Sequence, residues 1–407
     1  MPDTPASIEM QPLPYHQAIV AYLKGEENDL WQWFSSGQAT EEQAAAARLE
    51  LLKNTYRLER ESAPALYAAA DSAMAALGLA VPVTIYQLQS PLGMNAALVY
   101  IPGELHVVLQ GPVMNSLAPG ELQALLGHEF GHFLLYESWD RQFHVARTIL
   151  GAMGADRQAC PEHLESLRSF TLYTEVFCDR AALKVCGDLA TAVAMQLKVE
   201  TGLTSVDPQS YLRQANEIFQ LEDPKTDGIT HPEGFIRTRA LQLWHEQGEA
   251  AMPAITRMIE GTLELSRLDL LGKMTVASLT RRLITLLLRP AWFQTDTVLG
   301  HARLFFEDFA PAATVEPAEK LAAEIARLDK DLKDYLCYVL LDFATVARSL
   351  DDLPLAATLQ LSRDLELEKP FCAIVVKELG MKKKPLEQLL AGAPALLAKA
   401  ETLEAKP

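Results

Sequence analysis

Apolar positions recur at helical spacing along most of this chain, and one short stretch breaks that rhythm with β-branched and aromatic residues. Residues 1–62 read as helical after a Pro-containing lead-in, with 44–59 a strong helix former rich in Ala, Leu, Glu and Arg. A further helix is predicted over 63–77, ending near Gly78. Residues 81–86, 97–101 and 105–109 are then predicted strands. Pro91-Leu92-Gly93 and Pro102-Gly103 supply the turns between them. Strand 105–109 is expected at a sheet edge, with unpaired backbone groups on offer. Next, Leu122, Leu125, Leu126, Phe130, Phe133 and Leu134 return to helical spacing, with Pro119 and Glu121 suited to the first turn. Beyond residue 136 the pattern stays helical. It includes a long apolar-periodic stretch over 168–201 and one helix at 209–221 inside a Pro/Gly-rich loop spanning 203–235. From about 236 to 401 runs a series of helices broken near Pro253, Pro290, Pro311, Pro354, Pro370 and Pro385.

The fold class that follows is mainly α with a small β-sheet (α+β). A chain of 407 residues exceeds one small core. The changes in character divide it into an N-terminal helical segment (1–62), a central domain with the strands (63–250) and a helical C-terminal domain (251–407). The net charge of −17 argues against nucleic acid and anionic membranes as main partners. Lys382-Lys383-Lys384 reads as a solvated turn. The N-terminal MPDTPASIEMQPLPYHQ has neither a basic start nor an apolar core of signal-peptide length. No stretch approaches the ~20 apolar residues of a membrane span. Five cysteines without a CxxC fit a reducing compartment better than a disulfide framework. The expectation is a soluble, cytoplasmic protein.

One string carries chemistry: His128-Glu129-Phe130-Gly131-His132. On a helix, residues four apart share a face. Two imidazoles so placed can grip one Zn²⁺ that keeps a position open for water. Glu129 then stands beside that water as a general base. An accidental HExxH arises in roughly 1 chain in 100 of this length at ordinary residue frequencies. Its place inside an amphipathic helix is the context that zinc hydrolysis needs.

A catalytic zinc takes a third protein ligand. His144 follows His132 without the glycine-bearing turn of a metzincin third histidine. His163, after Pro161-Glu162, reads as an exposed helix start. Glu175 fits best, because it sits in the otherwise apolar helical stretch Leu172–Arg180, where a buried carboxylate needs a partner. Asp179, four residues on, shares its face and is placed to accept from the far nitrogen of a ligating histidine. The competing reading is a solvated stripe closed by Arg180 or Lys184. Cys178 is either a sulfur ligand or a buried small residue.

HExxH on one helix and ExxxD on a second, some forty residues later, resembles the gluzincin family of CaaX-prenyl-protease and HtpX-like metallopeptidases. Met94-Asn95-Ala96 is similar to the family's Asn-Ala segment, and Leu117–Leu122 to its approach to the helix. Thr230-His231-Pro232, with Arg237 and Arg239, is similar to its late His-Pro…Arg element. The likeness covers roughly residues 65–245. It implies a zincin-like domain with His128, His132 and Glu175 as zinc ligands, Glu129 as general base and Asp179 orienting a histidine. It also implies a peptide or unfolded-protein substrate. The best-known members are membrane-embedded or exported, features this chain does not show.

His231 lies in a loop that could fold over the zinc. It could donate to a developing oxyanion, close the metal site as a fourth ligand, or be a loop histidine ahead of Pro232. Residues 328–380, with Tyr335–Asp342 and Leu350–Leu355, resemble TerB-like helical domains. A generic bundle with Asp351 and Asp352 as helix-start charges accounts for the same residues. The leading expectation is a soluble zinc endopeptidase in protein quality control. The alternative is a non-catalytic, zinc-stabilised chaperone or a stress-associated interaction protein.

Overall fold

Proline and aspartate set where the helices of this protein begin. The computed structural model describes residues 10–36, 41–88, 93–312 and 316–404. Pro14, Pro64, Pro119, Pro161 and Pro208 each open a helix, where the missing N–H would be unpaired anyway. Asp188, Asp207, Asp269 and Asp329 each accept a backbone N–H three residues on; Asp207 caps the helix that Pro208 opens, and the other three cap further helices.

The chain divides into two compact units, Met1–Gly261 and Thr262–Pro407. The first begins with α1 (Pro14–Glu26), α2 (Asn28–Ser36), α3 (Glu41–Asn54), β1 (Thr55–Leu58) and α4 (Pro64–Leu77). Strands β2 (Val83–Leu88), β3 (Asn95–Ile101) and β4 (Glu104–Gln110) follow. The short α5 (Val113–Ser116) leads into α6 (Pro119–Glu137), α7 (Gln142–Ala155), α8 (Pro161–Cys186) and α9 (Leu189–Thr201). Then come α10 (Pro208–Leu221), α11 (Gly234–Gln247) and α12 (Met252–Glu260). The class is mainly α with a small mixed sheet, as the residue pattern predicts.

Three differences from the sequence reading matter. Residues 55–58 leave the helix expected over 44–59 and pair antiparallel with β2. Thr55 and Tyr56 favour extended backbone, and the open edge of β2 offers them partners. The stretch 168–201 is two helices, because Gly187 turns left-handed (φ 70°) and Asp188 caps a new start. The edge strands are β1 and β3, not β4. The sheet order is β1-β2-β4-β3, with β4 parallel to β2 and antiparallel to β3. The apolar run of β4 explains its central place, since a strand covered on both faces needs no polar alternation. Of the turn expected at 91–93, Pro91 and Leu92 lie outside the described residues.

The second unit holds α13 (Leu270–Leu287), α14 (Asp296–Phe305), α15 (Ala318–Ile325), α16 (Lys330–Thr345), α17 (Leu353–Asp364), α18 (Glu368–Leu379) and α19 (Lys383–Glu404). Leu283, Ile284, Phe293, Phe343 and Phe371 are fully buried in its core. Pro354, Pro370 and Pro385 fall in the first turns of α17, α18 and α19. These three prolines therefore mark helix starts, while Pro290 and Pro311 lie between helices as expected and Pro394 lies inside α19.

Helix α1 is tied to the first unit by a buried histidine. His16 is fully buried among Phe143 of α7 and Phe170 and Phe177 of α8. Its Nε2 donates to Thr174 Oγ1 at 3.3 Å, and that hydroxyl donates in turn to the Phe170 carbonyl. Burial pushes its pKa down from 6.5 to about 3. Between those values the unfolded chain binds a proton that the folded chain refuses. Stability from this group is therefore complete above the ordinary value and is lost as pH falls through the window. Acidification from pH 7.5 to 5 should cost about 2 kcal/mol through His16, read as a lower urea midpoint. His16→Gln should flatten that part of the profile; an unchanged slope would acquit His16.

Candidate active site

Two glycines bring the site together. Helix α6 crosses α8 so closely that a Cβ on Gly127 would lie 2.8 Å from Val185 Cβ. One on Gly131 would lie 3.0 Å from both Cys178 Cα and Ala181 Cβ. With glycine at both positions, the face of α6 carrying His128 and His132 meets the face of α8 carrying Glu175 and Asp179. The start of α6 is anchored separately. The Ala118 N–H donates to Glu121 Oε2 at 2.7 Å, and the same oxygen accepts from Lys198 Nζ of α9 at 2.7 Å.

The imidazoles of His128 and His132 converge on one carboxylate. His128 Nε2 is 3.3 Å from Glu175 Oε2, and His132 Nε2 is 3.6 Å from Oε1. On its other side, His128 Nδ1 meets Asp179 Oδ1 at 3.1 Å. Arg237 of α11 grips Asp179 with two bonds, Nε to Oδ2 at 2.9 Å and Nη2 to Oδ1 at 2.6 Å. From the loop before α11, His231 reaches in with Nε2 3.5 Å from Glu175 Oε2, although its side chain is 57% exposed. His144 turns away and packs on Tyr100. His163 sits in the first turn of α8. Arg239 bonds to Asn216 and Gln242.

Electrostatics make this cluster a cation trap. Burial disfavours charge on all three carboxylates, yet their partners prevail at two of them. Against that burial, His128, His132 and Arg237 hold Glu175 at about 2. Arg237 and His128 hold Asp179 far below its usual range. Burial pushes the Glu129 carboxyl up to about 7, with His128 holding it back and Glu175 adding to the rise. Burial lowers His132 to about 4, which leaves it neutral with a lone pair to give. Burial also works against a charged His128, but Asp179 and Glu175 outweigh it and lift that imidazole to about 10. A proton and a metal ion compete for the same Nε2 in this field.

A divalent metal fits here on chemical grounds. Glu175 Oε2 is buried without a hydrogen-bond donor, beside the Nε2 atoms of His128 and His231. Several carboxylates converge with one guanidinium, and a buried deficit of positive charge is what a dication offsets. Cys178 Sγ also lies within 4.8 Å of ligand atoms of His128 and His132. Burial and the carboxylates around it push its thiol well above the ordinary value, and its Sγ packs against Gly131. Glu175, ionised and aimed at both rings, is the better third donor.

The cluster lies on a cleft of about 440 Å³. Asn95, Ala96 and Leu98 of β3 form one wall, and Gln196 and Glu200 of α9 line another. The Leu98 N–H faces the Glu129 carboxylate. Gln196, Glu200 and Arg147 escaped the sequence reading. Only Gln196 left a trace there, as a polar residue inside an apolar run.

A plastoglobule-localized metallopeptidase 48, chloroplastic, of Arabidopsis thaliana is 27% identical over 176 residues, covering 39% of this chain and 51% of the relative. The chain thus spans about half the length of that curated protein. No family model matches the chain, and no solved structure matches it significantly. Among the described residues, no helix is long and apolar enough to cross a membrane.

Arg237→Met would strand the buried Asp179 charge. It should destabilise the first unit by about 3–5 kcal/mol, measured by urea denaturation. Asp179→Leu combined with Arg237→Met should cost less than the two single losses added together. Strict additivity would show that the pair is not coupled.

Proposed function

We propose that this chain is a zinc-dependent endopeptidase of the gluzincin kind, similar to the CaaX-prenyl-protease and HtpX-like enzymes, acting on peptides or unfolded proteins in protein quality control. The convergence of two helical imidazoles on a buried, donor-less Glu175 oxygen, with Glu129 alongside, carries this reading. The metallopeptidase relative supports peptidase activity in general. The five free cysteines support a reducing compartment such as the cytoplasm.

His128, His132 and Glu175 would hold the zinc. When bound, zinc supplies Lewis acidity that polarises a carbonyl and makes water acidic near neutral pH. Asp179, fixed by Arg237, accepts from His128 Nδ1 and so keeps Nε2 turned toward the site. Glu129 takes the proton from the attacking water and returns it to the leaving amine. Its carboxylate is held against β3, where substrate would lie. Since the Leu98 N–H faces Glu129, antiparallel alternation turns the backbone groups of Ala96 and Tyr100 outward as well. An extended peptide adds to this edge through its main chain. His231, part-exposed on its loop, donates to the oxyanion that develops on the carbonyl.

One observation favours a second reading. His231 Nε2 stands 3.5 Å from Glu175, between the 3.3 Å of His128 and the 3.6 Å of His132. A permanent fourth ligand would make the zinc structural, and the chain would then be a chaperone or a stress-associated interaction protein.

Glu129→Gln should retain stoichiometric zinc and lose about 10²–10⁴-fold in turnover of unfolded casein. Retained turnover would remove Glu129 from the chemistry. His132→Ala should lose the metal itself, read by elemental analysis of purified protein. If metal-loaded protein keeps casein soluble but never cleaves it, with or without chelator, the second reading stands in place of the first.

A further inference from the structure

Arg147 is a cation in the cleft with no acid paired to it. It stands on α7 with its side chain exposed, and it lines the same cleft as His128, His132 and Glu175. The other guanidinium of the cleft, that of Arg237, is committed to Asp179. Among the described residues, Arg147 has no ion pair, and its Cζ lies over the Tyr136 ring, 5.9 Å from the centroid.

That ring fixes where the charge sits. Tyr136 follows His132 by one turn of α6 and is buried. Its ring centroid is 6.3 Å from that of His132 and meets the Tyr100 ring edge-on at 5.8 Å. The spacings through Tyr136 put the Arg147 guanidinium within about 12 Å of the His132 ring, or about four residues of extended chain at ~3.3 Å each. Tyr100 belongs to the edge strand β3, two residues past Leu98, which faces Glu129. A peptide laid along β3 therefore runs from Glu129 past Tyr100 to Arg147.

The chemistry that suits such a place is narrow. Substrate covers Arg147 and takes water from it, so the charge then needs a partner. An apolar residue leaves it unpaired, and a basic one repels it. A carboxylate matches the planar fork of the guanidinium with two parallel bonds. A phosphate would bring nearly two negative charges into a cleft that already holds Glu129, Glu175 and Glu200.

Resting on the peptide-cleaving reading of this cleft, we infer that Arg147 is a specificity residue that binds a carboxylate of the substrate, on the Tyr100 side of the cleaved bond. Two parts of a polypeptide carry that group, an Asp or Glu side chain and the free C-terminal end.

Binding tests this without turnover. Peptides are titrated calorimetrically into the zinc-loaded full chain carrying Glu129→Gln. One set, capped at both ends, moves a single glutamate through each position, with glutamine and lysine as controls. A second set has neutral side chains and ends, at graded lengths, in a free carboxylate or an amide. At one position or one length the carboxylate should bind at least about tenfold tighter than its neutral control, and the set that shows this names its source. Adding Arg147→Met should erase the gain while bound zinc stays stoichiometric. Adding Arg147→Glu should pass the preference to lysine at the same position, or to the amide in the chain-end set. No carboxylate gain in either set, no binding at all, or a gain that survives Arg147→Met overturns the inference. Cleavage of unfolded casein by the chain with Glu129 intact tests the endopeptidase reading separately.

Discussion

The close crossing of α6 over α8 is the constraint on which the site depends. A Cβ at Gly127 would lie 2.8 Å from Val185 and one at Gly131 3.0 Å from Cys178 and Ala181, inside van der Waals contact, so a side chain at either position forces the helices apart. Any such shift would move His128 and His132 away from Glu175 and Asp179, whose contacts with them span only 3.1–3.6 Å. The glycines weaken the helix they sit in. A buried face that includes Phe130 and Phe133 compensates by packing. Closeness of backbone, rather than any one side chain, places the donor atoms.

That closeness has an electrostatic consequence. Burying Glu129, Glu175 and Asp179 together is tolerable only with positive charge among them. Arg237 supplies one such charge, with two bonds to Asp179, and so links α11 to α8. The remaining demand falls on His128 and on whatever cation sits between the rings. Glu129 is the carboxylate left least compensated, and its proton affinity lies near neutrality in consequence. A group with that affinity suits proton transfer at neutral pH. The loop with His231 joins the same cluster from the exposed side, with fewer packing constraints on its position.

Much of this was legible in the residues. HExxH fixed a face of α6, and the lone carboxylates Glu175 and Asp179 in an apolar stretch signalled a buried partner. Period and composition located β2, β3 and β4 within a few residues. Other features depended on partners distant in sequence. Residues 55–58 became a strand because β2 had an open edge. The choice between β3 and β4 as edge was made by strand order, which no local pattern encodes. Arg237 and Arg239 look alike in sequence, yet only Arg237 faces Asp179. Two residues of helix turn separate them by about 200°.

By itself the sequence determined which donors could act together, because helical periodicity is a local property: four residues always return to the same face. It also determined where helices begin, through proline and aspartate at their starts. Only the tertiary structure decided that Glu175 and not His144 meets the two imidazoles, that His231 reaches the same point, and that Gln196 lies unpaired in the cleft wall. Those outcomes turn on the distance between helices far apart in the chain, which packing sets.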